Sequence, residues 1–117
     1  MEIRPAPMSP RQRYWLLISS IVPRRIAFVS TLSVDGRPNL APFSFFGGVG
    51  DEPMTVVFCP ANRANGDEKD TLRNCKPVSE GGTGEFVVNV AVESYHRQVA
   101  AAGEPLPGGR AALRDGE

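Results

Sequence analysis

Residues 26–46 constrain the fold more than any other part of this chain. Ile26-Ala27-Phe28-Val29-Ser30-Thr31-Leu32 is rich in β-branched and aromatic residues, and Val34-Asp35-Gly36-Arg37 follows with an Asp-Gly dipeptide. That combination is a strong hairpin signal, because two-residue hairpin turns need positive φ angles that glycine adopts without steric cost. Residues 39–46 are then the returning strand. Pro42 interrupts it and demotes that part to an edge or a bulge, since proline lacks the ladder's N–H donor.

The remaining elements follow from local signals. Ser9-Pro10-Arg11-Gln12 has a capping-box pattern with proline at the first helical position, and Tyr14, Leu16, Leu17 and Ile21 recur at roughly helical intervals. The pattern predicts a helix over 10–20, ended by Pro23. Residues 47–53 read as a loop, 54–59 as a third strand, and 60–66, with its Asn65-Gly66, as a connection. Gly66 or Asp67 is expected to cap a short helix that runs to about residue 74. A polar loop over 76–84 precedes a strand over 85–92, and 94–102 reads as a helix closed by Gly103. Residues 104–117 lack periodicity and read as a disordered tail, which leaves one domain over 1–103. Four or five strands with two or three short helices suit a small β-barrel with helical plugs.

At 117 residues the chain holds one domain at most. Its 13 basic and 13 acidic side chains cancel, so it carries no electrostatic footprint for nucleic acid or an acidic membrane surface, and any anion must be held locally. The apolar runs are far shorter than the ~20 residues a membrane span needs. The N-terminal 13 residues do not have the pattern of a secretory signal. Cys59 and Cys75 are not spaced as a metal knuckle or a redox pair, and read as free thiols in a reducing compartment, with one disulfide as the alternative. A soluble, cytoplasmic protein is expected. His96, the only histidine, has no evident partner for nucleophilic or metal chemistry and is given no catalytic duty.

Three segments carry a family resemblance: Pro23-Arg24-Arg25-Ile26-Ala27-Phe28-Val29-Ser30-Thr31, Asn39-Leu40-Ala41-Pro42-Phe43-Ser44-Phe45-Phe46, and Lys69-Asp70-Thr71-Leu72-Arg73-Asn74. In order and spacing they resemble the flavin reductase-like family of FMN-binding split-barrel proteins, and Thr83-Gly84-Glu85-Phe86-Val87-Val88-Asn89 adds a fourth match. Arg25 departs from the pattern, where the family usually has proline. The resemblance runs from about Tyr14 to about Ala102. It implies a mainly β fold with short helices, a split β-barrel of Greek-key type. Family members usually continue for several more strands beyond the position of Gly103, so the barrel is expected to be incomplete at its C-terminal end.

The resemblance also implies FMN bound noncovalently, NADH or NADPH as hydride donor to flavin N5, a homodimer, and a flavin-dependent monooxygenase as partner. By analogy with the family, Lys69, Thr71 and Arg63 form the phosphate cluster at the helix start, where free N–H groups and positive potential gather. Asp70 would repel a phosphate and is given a structural role. Ser30, Thr31 and Ser44 offer hydroxyls to the ribityl chain or phosphate. Asn39, Leu40 and Ala41 offer backbone and amide groups to the polar edge of the isoalloxazine, where the proline-broken strand frees N–H and C=O groups. Phe45 is placed as a ring-lining aromatic, and Cys59 as a small buried hydrophobe. The plainer alternative for each is an ordinary helix charge, turn hydroxyl or core aromatic. At the level of function the alternatives are a non-catalytic FMN-binding or electron-transfer module, a degenerate barrel, or a pyridoxamine-phosphate oxidase type of split barrel.

Overall fold

The computed structural model describes residues 2–63 and 65–103, the Tyr95 side chain excepted. The tail expected over 104–117 lies outside the described residues. Helix α1 (Pro10–Ser20) starts where the capping box places it: Ser9 Oγ accepts from Gln12 N at 3.2 Å, and Gln12 Oε1 accepts from Ser9 N at 2.8 Å. Two first-turn donors are thereby satisfied reciprocally. No residue of α1 is fully buried. It leans on the rest of the molecule through Tyr14, whose ring meets Phe45 edge-on at 6.3 Å.

The predicted hairpin forms. Strands β1 (Ala27–Leu32) and β2 (Pro38–Phe43) pair antiparallel in continuous register, from Ala27 opposite Phe43 to Leu32 opposite Pro38. Gly36 closes the turn at φ 76°, with its N–H donating to Ser33 O at 2.8 Å. Pro42 does not interrupt the strand; it stays in register opposite Phe28. β2 is the outer strand of its sheet, so a missing outward donor breaks no ladder bond there. The strand instead ends at Phe43, and Ser44 and Phe45 form a bend.

The expected loop over 47–53 is a strand. Its glycine-rich sequence forms β3 (Phe46–Asp51), paired antiparallel with β4 (Met54–Phe58) and bulged between Gly48 and Gly50. The valines of β4 give the glycine run a regular partner, and this tertiary pairing overrides its poor intrinsic preference for strand. Strand β5 (Val87–Val90) pairs with the other side of β1, which gives one sheet in the order β2-β1-β5 and a second made of β3 and β4.

Helix α2 (Asp70–Cys75) starts later than predicted, with Lys69 at the N-cap position and no capping side chain. Asn65 and Asp67 are used up in a turn of their own, in which Asp67 N donates to Asn65 Oδ1 and Arg63 N donates to Asp67 O. A 3-10 turn over Glu93–Tyr95 leads into α3 (His96–Ala102), and Gly103 N donates to Ala100 O at its end.

Successive strand residues face opposite sides of a sheet. On one face of the three-stranded sheet Ala27, Val29 and Phe43 form the buried core, with Ala41, Phe46, Phe58 and Val88 packed around it. The Phe43, Phe58 and Phe86 rings follow one another at 5.4 and 5.0 Å between centroids. Among the described residues the result is a mainly β fold with three short α-helices. Its two sheets do not close on each other, as in an incomplete split barrel.

Candidate functional site

The pleat of β1 and β2 sorts the candidate residues by face. Thr31 lies opposite Asn39 and Val29 opposite Ala41, on the face that carries the core. Ser30 and Leu40 lie opposite each other on the other face. Neighbours in sequence, Ser30 and Thr31 therefore serve different environments.

On the core face, α2 is bonded to the sheet by four polar side chains. Asn39 Nδ2 donates to Thr71 Oγ1 at 2.8 Å and to Thr31 Oγ1 at 3.4 Å, while Asn74 Nδ2 donates to Thr31 Oγ1 at 3.0 Å. Thr71 is 1% exposed, Asn74 4% and Thr31 5%. Thr71 and Asn74 are three residues apart, so both reach the same side of one helical turn. The structure thus brings three candidates, Thr31, Asn39 and Thr71, into a single buried network. Their bonded groups hold the helix on the sheet.

Around α2 the charges are mostly paired. Asp70 accepts from Arg63 at 3.2 Å and from Arg73 at 3.0 Å, and Lys76 meets Glu68 at 2.5 Å. Asp70 is therefore a clamp at the helix start, in keeping with its expected structural role. Among the described residues no carboxylate faces the Lys69 ammonium, which sits 5.5 Å from the centre of the Phe43 ring. A cation over a ring face is weakly held, by about 0.5–1 kcal/mol at an exposed site, and remains available to an anion.

At the end of the β1–β2 hairpin a cavity of about 580 Å³ opens between Ser30, Thr31, Leu32 and Pro38 on one side and the segment Thr83 to Val87 on the other. Its size falls in the range typical of small-molecule sites. Ser30 accepts from Asn89 Nδ2 at 3.3 Å, and the same amide donates to Phe28 O at 2.9 Å. Thr83 closes the far wall, with its hydroxyl within 3.1 Å of Asn74 O and 3.3 Å of Leu32 O.

Ser44 and Phe45 sit in the bend after β2, and the Arg24 guanidinium lies 5.9 Å from the Phe45 ring centre. Arg24 Nη1 donates to Ile18 O at 2.8 Å, while its Nε is buried without a hydrogen-bond partner. Cys59, expected to be buried, is exposed just beyond β4, where its N–H donates to Phe45 O. Both cysteines are free thiols, and half-burial raises the Cys75 thiol above its ordinary value. Sequence reasoning assigns no role to Asn74, Thr83 or Asn89. The Thr71-x-x-Asn74 spacing, two short polar residues on one helical face, is the signal that could find the first.

Known proteins share this sequence pattern and this fold. The sequence matches the flavin reductase like domain family over residues 19–115, and the chain belongs to that family. It is 42% identical over 94 residues to an uncharacterised protein of Aquifex aeolicus, covering 80% of this chain and 45% of that one. An uncharacterised protein of Halalkalibacterium halodurans is 38% identical over 107 residues, covering 92% of this chain and 49% of the relative. Among solved structures, nitrilotriacetate monooxygenase component B from Bacillus cereus superposes with a TM-score of 0.79 at 33% identity, covering 96% of this chain and 52% of that one. The 2-nitrobenzoate 2-nitroreductase of Pseudomonas fluorescens gives 0.68 at 30% identity, with 91% and 48% covered. Flavoredoxin of Desulfovibrio vulgaris, at 19% identity and a TM-score of 0.61 over 79% of this chain and 45% of that one, shares the fold. The chain spans about half the length of the curated relatives it matches. Among the described residues no helix is long and apolar enough to cross a membrane.

Proposed function

We propose that this chain carries the FMN-holding part of an NAD(P)H-dependent flavin reductase. The observation that supports this most directly is the Lys69 ammonium. Of the four cations flanking α2, it is the one that no carboxylate neutralises among the described residues. A buried or half-buried phosphate needs such a charge, because its desolvation must be offset by donors. The donor set therefore fits a phosphate-bearing ligand, with Lys69 holding the anion. Arg63 contributes through the charge it shares with Asp70 rather than as a free guanidinium.

In this reading the flavin ring lies along β2 and the bend that follows it. β2 is an edge strand among the described residues, and backbone groups alternate sides along it, so the outward N–H and C=O of Leu40 face no neighbouring strand and are free to meet the polar side of a flat ring, with Asn39 and Ala41 flanking them. Ser44 offers a hydroxyl and Phe45 an aromatic face at the end of the same strand. Thr31 and Thr71 act one step back, by keeping α2 and its lysine in place. Ser30, on the other face, lines the cavity. When bound, FMN would take a hydride from NADH or NADPH at N5 and pass the electrons on, chemistry that belongs to the cofactor while the protein positions it.

The likeness to a monooxygenase component supports a separate flavin-dependent monooxygenase as consumer of the reduced flavin. A homodimer would cover the outward valines Val87 and Val92, which are 60% and 46% exposed. Two free thiols accord with a reducing, cytoplasmic setting. The test is to add FMN to the purified chain and then NADH or NADPH without oxygen. Flavin uptake followed by loss of the oxidised absorbance is expected. Uptake with the colour retained would make this a binding or electron-transfer module, and no uptake would end the proposal.

A further inference from the structure

We propose that Asn74 is a positioning residue for the anion-holding lysine, and that it couples this lysine to the far wall of the cavity. The inference rests on the reading that Lys69 meets the FMN phosphate, and it goes beyond that reading by naming what sets the lysine's place.

Two side-chain attachments fix α2 on the sheet. One joins Thr71 to Asn39 on β2, and the other joins Asn74 to Thr31 on β1. A single attachment leaves a six-residue helix free to pivot about it; two attachments on different strands define both its tilt and its rotation. α2 is too short to hold its own orientation by backbone bonds alone. No side chain caps its start, so in the first turn Lys69 is tied to the sheet only by its contact with Phe43 and by the neighbouring Thr71–Asn39 bond, about which the helix can still pivot. The Asn74 amide thus acts on Lys69 from the other end of the helix.

The same residue reaches the cavity through its backbone. Asn74 O accepts from Thr83 N at 2.9 Å, from Gly84 N at 3.3 Å and from Thr83 Oγ1 at 3.1 Å. Thr83 and Gly84 form part of the cavity wall. A shift of the helix end at Asn74 therefore moves this wall as well as the helix start. A buried asparagine whose side-chain N–H is engaged by β1 and whose backbone carbonyl is engaged by Thr83 and Gly84 is costly to disturb, because each lost partner leaves a desolvated polar group.

The experiment compares FMN with riboflavin, which has the same ring and no phosphate. Dissociation constants are measured by flavin fluorescence quenching for the wild-type full chain, Asn74→Ala, Thr31→Val and Thr31→Ser, with near-ultraviolet circular dichroism confirming a native fold. The wild type is expected to favour FMN by about tenfold or more, the worth of a charge-assisted hydrogen bond. Asn74→Ala and Thr31→Val, which break the same bond from opposite ends, should bring that ratio close to one with riboflavin binding little changed. Thr31→Ser, which keeps the acceptor oxygen, should restore it. A general loss of structure would weaken both ligands alike and leave the ratio as it was. A folded Asn74→Ala that keeps the wild-type ratio overturns the positioning role alone. If Asn74→Ala does not fold, the Thr31 pair decides the question in its place: a Thr31→Val ratio equal to that of Thr31→Ser overturns the role. A wild type that binds both ligands equally, or neither, overturns the Lys69–phosphate reading itself and this inference with it.

Discussion

Phe43 is the residue at which stability and the proposed site meet. It is 4% exposed, packs its ring 5.4 Å from that of Phe58, lies opposite Ala27 across the hairpin, and carries the Lys69 ammonium 5.5 Å from its ring centre. Truncation to alanine removes the transfer free energy of a whole ring and leaves a cavity, together about 3–5 kcal/mol for phenylalanine. Small domains are stable by only about 5–15 kcal/mol, and among the described residues the buried core cluster is small, made of Ala27, Val29 and Phe43. Phe43→Ala should therefore remove a large share of the total stability. Phe43→Leu keeps most of the apolar volume and should cost no more than about 1.5 kcal/mol from repacking, plus about 0.5–1 kcal/mol for the lost cation–π contact. Urea denaturation followed by far-ultraviolet circular dichroism measures both variants, and a Phe43→Leu/Lys69→Met double-mutant cycle isolates the contact with the lysine. A loss below about 1 kcal/mol for Phe43→Ala would show that the cohesion of this fold lies elsewhere. A zero coupling energy would show that the lysine does not rest on the ring.

Other expectations follow from single contacts. Lys69→Ala should weaken FMN binding by about tenfold or more, and raising the salt concentration should weaken the wild type far more than the variant; an unchanged dissociation constant removes Lys69 from the site. Thr71→Val leaves the Asn39 amide without its acceptor at 2.8 Å and should cost about 1–3 kcal/mol in a chemical denaturation curve, where no change would show that Asn39 finds another partner. Gly82→Ala should destabilise strongly, because a Cβ there would run into the Lys76 backbone carbonyl; a wild-type melting temperature would place that loop differently. Burial raises the Cys75 thiol above 9.0, so its contribution to stability is complete below pH 9.0 and is lost as pH rises through the higher folded value, because the unfolded chain releases that proton first. Consistently, a thiol reagent should modify exposed Cys59 before Cys75, and equal rates would contradict the burial.

Several elements are legible in the sequence because their signals are local. The capping box fixes α1 at Pro10–Ser20, and the Asp-Gly turn between β-branched runs fixes the hairpin. Where pairing between distant segments decides the outcome, local signals mislead. Gly47 and Gly48 form a strand because Val57 and Val56 lie opposite them, which composition alone does not show. The start of α2 is obscured for a related reason: Asp67 looks like a cap but is hydrogen-bonded to Asn65 in a turn of its own. Pro42 correctly marks an edge strand and wrongly suggests a break, since an edge strand accommodates a missing donor that faces outward.

The candidate site shows the same division at finer scale. In the sequence, Ser30 and Thr31 are one Ser-Thr pair that offers two hydroxyls to the same ligand. A β-strand cannot use them that way, because its side chains alternate between faces. Thr31 Oγ1 accepts from the Asn39 and Asn74 amides that hold α2, whereas Ser30 Oγ accepts from Asn89, and both residues border the cavity. The pleat thereby assigns one hydroxyl to holding the helix that carries Lys69 and the other to the opposite face. A motif whose neighbouring residues serve opposite faces couples the two by construction: displacing β1 by one residue would exchange their roles and disrupt both. This predicts that Thr31→Val and Ser30→Ala have separable effects. The first should reduce stability and FMN preference together, and the second should leave the helix anchored and alter only what enters the cavity. If Ser30→Ala reproduced the Thr31→Val losses in both urea denaturation and the FMN-to-riboflavin ratio, the two faces would not be distinct, and the register of β1 would have to be redrawn.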